Sequence, residues 1–211
     1  MLAISQISLA AARHHLPGRA DSARWNGQAA VRLGLHGQVK PGQLETLWDW
    51  GWRYDLPDSL TPALKTPQPD KSNPPLAGYF FGFSPPRTLA ARADLHSARF
   101  EEALQASAQA ILHAVEVESQ TWFRDGRRLH RHTTGNLLWM TPLREEPRPG
   151  RALWPYVSGF VFNVTWDPLE ARWKSVRLTA VRRYRAEYQQ AFYDTLRDRV
   201  NAFDSAPGES L

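Results

Sequence analysis

The strongest pattern of hydrophobic and polar positions in the sequence is a stretch that is apolar on both sides of a strand's pleat, Trp154-Pro-Tyr-Val-Ser-Gly-Phe-Val-Phe-Asn-Val-Thr165. A strand that buries both faces is typical of the middle of a sheet. The amide side chain of Asn163 falls near the end of this strand and needs a hydrogen-bond partner if it is buried. Three further segments are predicted to be strands of the same sheet. The predicted sheet contains residues 1–8, 78–84, 129–140 and 156–165.

Apolar residues at spacings of three and four predict two long helices, Asp94–Thr121 and Thr179–Phe203. The first apolar stripe contains Phe100, Leu104, Ala108, Ile111, Leu112 and Val115, and the second contains Val181, Tyr184, Tyr188, Phe192, Leu196 and Val200. Four glutamates are assigned to the solvated side of the first helix: Glu101, Glu102, Glu116 and Glu118.

Shorter elements are separated by turn-forming residues. The sequence predicts two short helices, Leu9–His15 and Leu44–Trp52, and two hairpins, one turning at Asp125-Gly126 and one spanning Trp166–Trp173. Six prolines between residues 53 and 77 predict a surface loop, because proline interrupts both helices and strands. The last eight residues, 204–211, are predicted to be a frayed C-terminal tail.

Composition narrows the function classes only partly. The 211 residues are enough for one substantial core and carry no cysteine, which excludes disulfides, cysteine zinc sites and thiol catalysis. No apolar run approaches the roughly 20 residues that span a bilayer, and the N-terminus lacks the pattern of a signal peptide. A cytoplasmic protein without a membrane partner is therefore expected. The net charge of +5 is compatible with a polyanionic partner.

Several collinear segments carry a resemblance to a known family. They are Met1-Leu-Ala-Ile-Ser5, Trp25-Asn-Gly-Gln-Ala-Ala-Val-Arg-Leu-Gly-Leu-His-Gly-Gln-Val39, Gly78-Tyr-Phe-Phe-Gly-Phe-Ser-Pro-Pro-Arg87, Thr134-Gly-Asn-Leu-Leu138 and the strand that ends in Asn163-Val-Thr165. This order resembles the conjugative relaxases of the TrwC/TraI (MobF) type, which belong to the HUH endonuclease superfamily. The third segment corresponds to the family's Gly-x-Asp-Leu-Thr-Phe-Ser-Ala-Pro-Lys. The resemblance covers residues 1–203 as one relaxase-like domain, and it implies an α+β fold with a central antiparallel sheet flanked by helices.

The resemblance also implies a set of catalytic residues that this sequence lacks. A relaxase uses a tyrosine nucleophile, three histidines on one divalent metal and an acidic residue. The nucleophile positions correspond to His14 and His15, the acid to Phe80, the isolated metal ligand to Leu143 or Arg144, and the paired ligands to Tyr156 and Ser158. We therefore expect a catalytically inactive domain that needs no cofactor.

If other residues replaced the missing catalytic groups, the chain would be an active nuclease instead. His130 and His132 would point to the same side of a strand and could form part of a new metal site. Three tyrosines of the last helix could offer a replacement nucleophile: Tyr184, Tyr188 and Tyr193.

Two kinds of partner are compatible with an inactive scaffold. The first is single-stranded or hairpin DNA, held by Arg87 and by two basic clusters; these contain Arg124, Arg127, Arg128 and Arg131, and Lys174, Arg177, Arg182, Arg183 and Arg185. Cations at the start of the last helix would lie against its dipole, which favours an anionic partner. The second is a protein. It would dock on a cleft refilled by Phe80, Trp154, Tyr156 and Phe160, or on an exposed anchor of Trp48, Trp50 and Trp52.

Overall fold

A central antiparallel sheet organises the computed structural model, which describes residues 1–40, 42–50, 76–90, 97–143 and 155–205. Its strands, in chain order, are β1 (Leu2–Ser8), β2 (Arg24–Asn26), β3 (Leu76–Phe83), β6 (Trp139–Thr141) and β7 (Val157–Phe162). They are arranged β1-β3-β7-β6-β2. Two hairpins stand apart from this sheet, one formed by β4 (Gln120–Asp125) and β5 (Arg128–Thr133), the other by β8 (Thr165–Asp167) and β9 (Arg172–Lys174).

Helices cover both faces of the sheet. They are α1 (Leu9–His15), α2 (Gln28–Arg32), α3 (Gln43–Trp50), α4 (Arg87–Ala90), α5 (Ala98–Val117), α6 (Thr179–Arg183) and α7 (Arg185–Ser205), with a 3-10 turn at Pro17–Arg19. The α+β class with a central antiparallel sheet is confirmed. No helix within the described ranges is both long enough and apolar enough to cross a membrane.

The prediction for the central strand is also confirmed. Every residue of β7 is buried, and β7 pairs with β3 on one side and β6 on the other. One of its faces, with Val157 and Val161, packs in a core with α5 and α7. The opposite face, with Phe160 and Phe162, packs in a second core that includes residues of α1 and α3. Both faces of β7 are therefore enclosed, as its two-sided apolar pattern requires.

The segment 129–140 was wrongly predicted as one strand of the central sheet. Its first part is β5, which pairs with β4 in a hairpin and is mostly exposed, because its sequence Arg-Leu-His-Arg-His-Thr cannot fill an apolar core. The chain then turns at Gly135, which has a positive φ of 65°, before β6 enters the sheet. The short strand β2, which pairs with β6, was not among the predicted strands.

The long helices agree with the apolar stripes, with two corrections. The first helix ends at Val117 instead of Thr121, which belongs to β4. Helix α5 begins after Ser97, whose side chain accepts a hydrogen bond from the Phe100 N–H at 3.2 Å and caps the helix. The predicted helix 179–203 is split at Tyr184, where the backbone leaves the helical region, and its second part continues to Ser205. Residues 53–75 of the predicted loop lie outside the described ranges, and so do Arg144, Trp154 and residues 206–211. The last two residues of the predicted loop, Leu76 and Ala77, belong to β3.

Glu116 does not lie on the solvated side of α5, contrary to prediction. It is only 4% exposed. Its Oε1 accepts the backbone N–H of Gln28 at 2.6 Å and that of Leu137 at 2.9 Å. The carboxylate thus joins α5 to the start of α2 and to the strand entering the sheet, which satisfies two backbone donors at once.

Candidate functional site

The position of Arg19 links two of the residues singled out from the sequence. Arg19 closes the 3-10 turn that follows α1. Its guanidinium carbon lies 4.8 Å from the centroid of the Phe80 ring, and its Nη2 lies 3.4 Å from Oγ of Ser158. A guanidinium over an aromatic face is attracted by the ring's quadrupole. Phe80 on β3 and Ser158 on β7, which face the same side of the sheet, therefore share one cationic neighbour.

On the same face of the sheet, Tyr156 fills the space that a side chain at residue 82 would need. Gly82 pairs with Ser158 across β3 and β7. A Cβ placed on Gly82 would lie 1.9 Å from the Tyr156 hydroxyl oxygen and 2.6 Å from the ring carbon that bears it. Because the corresponding relaxase motif has threonine at this position, tyrosine at 156 and glycine at 82 form a matched pair of changes.

We expect Gly82→Thr to lower the free energy of unfolding by about 2 kcal/mol, since forcing side-chain atoms into an occupied space typically costs roughly 1–3 kcal/mol. The same substitution in a Tyr156→Ala background should cost less than half as much, because the ring that blocks residue 82 is gone. Urea unfolding of the four proteins in this cycle measures the coupling. Equal effects of Gly82→Thr in both backgrounds would contradict the matched pair.

The other positions that the resemblance assigns to the family's chemistry are placed differently. His14 and His15 lie at the exposed end of α1, with ring centroids 4.7 Å apart. Leu143 is 3% exposed and belongs to the core that contains Phe160 and Phe162. The two histidines and Arg19 come from one corner of the fold, while Leu143 is a core residue.

His132 and Lys174 bond to a buried carboxylate between the two hairpins. Asp167 is fully buried, and its Oδ1 lies 3.0 Å from Nε2 of His132. Nζ of Lys174 lies 2.5 Å from the other Asp167 oxygen and 2.5 Å from Glu170. Burial opposes ionisation of Asp167, but the hydrogen bonds from Lys174 and the Leu169 N–H hold its pKa below the usual range. Lys174 is therefore bound within the protein, and we remove it from the predicted DNA contacts.

Trp122 on β4 joins the two predicted basic clusters. The guanidinium carbon of Arg131 lies 4.9 Å from its ring centroid, and that of Arg177 lies 5.9 Å away. Lys174 donates a hydrogen bond to the Trp122 carbonyl at 2.8 Å. The remaining arginines of this hairpin are exposed around its turn: Arg124, Arg127 and Arg128. The strand register places Trp122, Arg124 and Arg131 on one face of the hairpin and Arg128 on the other, with Arg127 in the turn between them.

The dipole argument for the second cluster was wrong for Arg182 and Arg183 and holds for Arg185. Arg182 and Arg183 lie in the last turn of α6, where the negative end of the helix dipole favours cations, because the helix breaks at Tyr184. Arg185 begins α7, and all three side chains are exposed. Arg87 is likewise exposed at the start of α4. Exposure keeps these four residues as candidate contacts, and Arg185, at the first position of α7, lies against the dipole of a long helix.

A match to the sequence profile of a known family identifies the family of this chain. The profile described as TrwC relaxase matches residues 10–206. The chain belongs to the TrwC relaxase family. Comparison with curated protein sequences found no match.

Solved structures of TrwC share the fold of this TrwC-family domain. The structure of TrwC complexed with a 27-mer DNA comprising the recognition hairpin and the cleavage site has a TM-score of 0.80 and 16% sequence identity, covering 100% of this chain and 72% of that one. Metal-free TrwC in complex with oriT DNA has a TM-score of 0.76 at 16% identity, covering 96% and 70%. The metal-bound complex has a TM-score of 0.76 at 17% identity, with the same coverage.

The residues at the family's metal position do not fit a divalent cation in this TrwC-family domain. Tyr156 and Ser158 stand where the resemblance places two imidazoles, and the Arg19 guanidinium lies beside Ser158. A fixed positive charge next to the ligand positions repels a metal ion, and a neutral serine hydroxyl is a weak ligand. Across the described ranges, no three His, Asp or Glu side chains are grouped to hold a metal. His130 is exposed, while His132 is bonded to Asp167.

The tyrosines of the last helix are poorly suited to replace the nucleophile. Tyr188 is buried and donates its hydroxyl hydrogen to Glu118 at 2.7 Å, and burial together with this carboxylate raises its pKa. Burial also raises the pKa of Tyr193. A raised pKa reduces the fraction of phenolate, the attacking form. Tyr184 is 43% exposed and lies outside the apolar stripe to which it was assigned.

Two residues of the site, Arg19 and Trp122, were not singled out from the sequence. Arg19 lies in a turn after Pro17-Gly18, and nothing in the local pattern places it opposite β3 and β7. Trp122 does have a local signal, since it stands in a short strand of a hairpin rich in arginine. Trp48 does not belong to the predicted protein-docking anchor, because it is only 6% exposed and packs against Phe160 and Phe162. The side chain of Trp50 and all of Trp52 lie outside the part of the chain that the structure describes.

Proposed function

We propose that this TrwC-family domain binds single-stranded or hairpin DNA and does not cleave it. The observation that carries the proposal is the contact of Arg19 with both Phe80 and Ser158. These are positions at which the family's chemistry needs an acid and a metal ligand. A cation and an aromatic ring in that place stabilise each other and provide neither function.

Cleavage of a phosphodiester would need three contributions, and each is weakened here. Exposed imidazoles at residues 14 and 15 replace the tyrosines that would form the covalent intermediate. Metal-assisted stabilisation of the phosphate has no suitable ligands around Ser158 among the residues that the structure describes. Proton transfer has no acid at Phe80. Because such groups act as a unit, the combined loss removes the reaction rather than slowing it slightly.

DNA binding is supported by a surface that is separate from the altered centre. The hairpin of β4 and β5 presents exposed arginines that suit phosphate contacts, and its half-buried Trp122 holds the guanidinium groups of Arg131 and Arg177 beside them. The net charge of +5 adds a sequence-independent attraction to nucleic acid. Structural relatives of this fold were solved with DNA, one of them with a recognition hairpin. The scaffold of this domain is compatible with the same class of ligand.

Fluorescence anisotropy with labelled DNA tests the proposal. The probes are a mixed-sequence single strand, a blunt hairpin and a hairpin with a single-stranded 3′ extension, each at low salt with EDTA. We expect binding to at least one probe and an affinity that falls steeply as salt increases. A protein that is folded by circular dichroism and binds none of the three would contradict the proposed function.

A further inference from the structure

A buried carboxylate ties both strands of the β4–β5 hairpin to the neighbouring β8–β9 hairpin. Asp167 ends β8 and is fully buried. Its Oδ1 lies 3.0 Å from Nε2 of His132 on β5. Its Oδ2 lies 2.5 Å from Nζ of Lys174 on β9, and the same Nζ donates a hydrogen bond to the carbonyl oxygen of Trp122 on β4 at 2.8 Å. We call Asp167, His132 and Lys174 the carboxylate clamp.

The carboxylate clamp lies where the anchored base of the β4–β5 hairpin meets its exposed tip. At the base, the Thr121 hydroxyl donates a hydrogen bond to the Ser175 carbonyl oxygen at 2.9 Å. His132 is the cross-strand partner of Thr121, so the clamp lies at the same level of the hairpin. Every residue from 124 to 131 is exposed. The contacts at the base and the clamp therefore fix the direction in which the tip projects.

We propose that Asp167 is a positioning residue for DNA binding. Through His132 and Lys174, it holds the β4–β5 hairpin in the direction in which the arginines of the tip meet the DNA. This inference rests on the proposed function, because it assigns a role in DNA binding to a residue that is itself buried and would not touch the DNA.

The hairpin needs such a support because two strands alone have little rigidity in water. A hairpin that samples several directions binds DNA with an affinity reduced by the fraction of time that it spends in the direction that fits. Contacts that fix this direction in the free protein remove the cost of ordering the hairpin when DNA binds. The ring of Phe123 adds to the support, since it packs edge-on against the His132 ring at a centroid distance of 5.9 Å.

A carboxylate suits this task because both of its oxygens accept hydrogen bonds. His132 and Lys174 are the donors to the ionised side chain of Asp167. Asp167→Asn would direct an NH2 group at one of these donors, which would open the clamp on that side. The same change removes a negative charge, and this alone would strengthen the attraction to DNA. The positioning role predicts weaker binding instead, so the sign of the change separates the two effects.

The first test compares Asp167→Asn with Glu170→Gln by anisotropy, using whichever of the three DNA probes the parent protein binds most tightly. Glu170 lies 2.5 Å from Lys174, so its amide variant changes the charge by the same amount at nearly the same place. We expect Asp167→Asn to raise the Kd about tenfold, as for a hairpin that keeps the fitting direction about a tenth of the time. Glu170→Gln should not raise the Kd by more than about twofold. The slope of log K against log salt should match that of the parent in both variants, because no phosphate contact is lost.

A second pair of variants protects the test against loss of folding. His132→Ala removes the donor on β5 and leaves Asp167 bonded to Lys174, whereas His132→Gln keeps a side-chain N–H donor; neither new side chain is charged. We expect His132→Ala to raise the Kd about fivefold and His132→Gln to stay within about twofold of the parent. In His132→Ala, NMR order parameters should fall for the backbone amides of residues 123–130 and stay unchanged in β7.

The possible outcomes separate this inference from the proposed function. If the parent protein binds a probe and both Asp167→Asn and His132→Ala bind it within about twofold of the parent, the positioning role is wrong while DNA binding stands. A shallower salt slope in Asp167→Asn, or order parameters that fall in β7 as much as in the hairpin, would also contradict the positioning role. If Asp167→Asn does not fold, the two His132 variants decide. If the parent protein binds none of the probes, the proposed function fails and the positioning role fails with it.

Discussion

Removing the charge at the tip of the β4–β5 hairpin is expected to weaken DNA binding by roughly a hundredfold at low salt. The variant replaces three exposed arginines with glutamine: Arg124, Arg127 and Arg128. Each phosphate contact releases condensed counterions, so three lost contacts should also make the dependence of log K on log salt shallower by about 2 to 3. Anisotropy titrations at several salt concentrations measure both quantities.

A matched control removes the same number of charges from surfaces that we do not assign to DNA. It replaces Arg99, Arg197 and Arg199, which are exposed on α5 and α7. This control should lower affinity by only a few-fold, through the change in net charge. If both triple variants lose affinity equally, binding depends on overall charge, and the hairpin is not a specific DNA contact.

The largest expected effect on stability comes from Glu116. We expect Glu116→Ala to lower the free energy of unfolding by about 3 kcal/mol, because the backbone N–H groups of Gln28 and Leu137 lose their acceptor. Glu116→Gln keeps an acceptor oxygen and should cost only about 1 kcal/mol. Urea unfolding, with the midpoint and slope fitted together, measures these differences.

Glu102→Ala is the matched control on the same helix. Its carboxylate is exposed, so the change should stay within about 0.5 kcal/mol of the parent. A Glu116→Ala protein as stable as Glu102→Ala would show that the buried carboxylate does not hold α2 and the entering strand in place.

The sheet could be predicted where local pattern and burial agree. The two-sided apolar stretch of β7 could only be placed in the middle of a sheet, and it is there. The hairpin turn at Asp125-Gly126 is also confirmed, with Gly126 at a positive φ of 55°. Strand β2 has only three residues, too few for alternation to be recognised, and it is defined by its pairing with β6.

The sequence motifs predicted where residues of the candidate site lie along the chain, but not the contacts that they make. The collinear motifs located Phe80, Tyr156 and Ser158, and the structure places these residues on one face, as the resemblance implied. Arg19 could not be predicted, because its contact with β3 and β7 depends on how the turn after α1 packs against the sheet. The burial of Glu116 was not predicted either. Glu116 follows Val115 and lies four residues after Leu112, at the edge of the apolar stripe.

Whether the domain cleaves DNA is tested most directly by a denaturing gel of the unmodified protein with end-labelled single-stranded and hairpin oligonucleotides. The reactions contain Mg²⁺ or Mn²⁺, and parallel reactions contain His14→Tyr. We predict full-length DNA in every lane and no covalent protein–DNA adduct, because one restored nucleophile cannot act without its metal ligands and acid. Metal-dependent cleavage or an adduct formed by the unmodified protein, persisting through further purification, would contradict the account of a binding domain that has lost its chemistry.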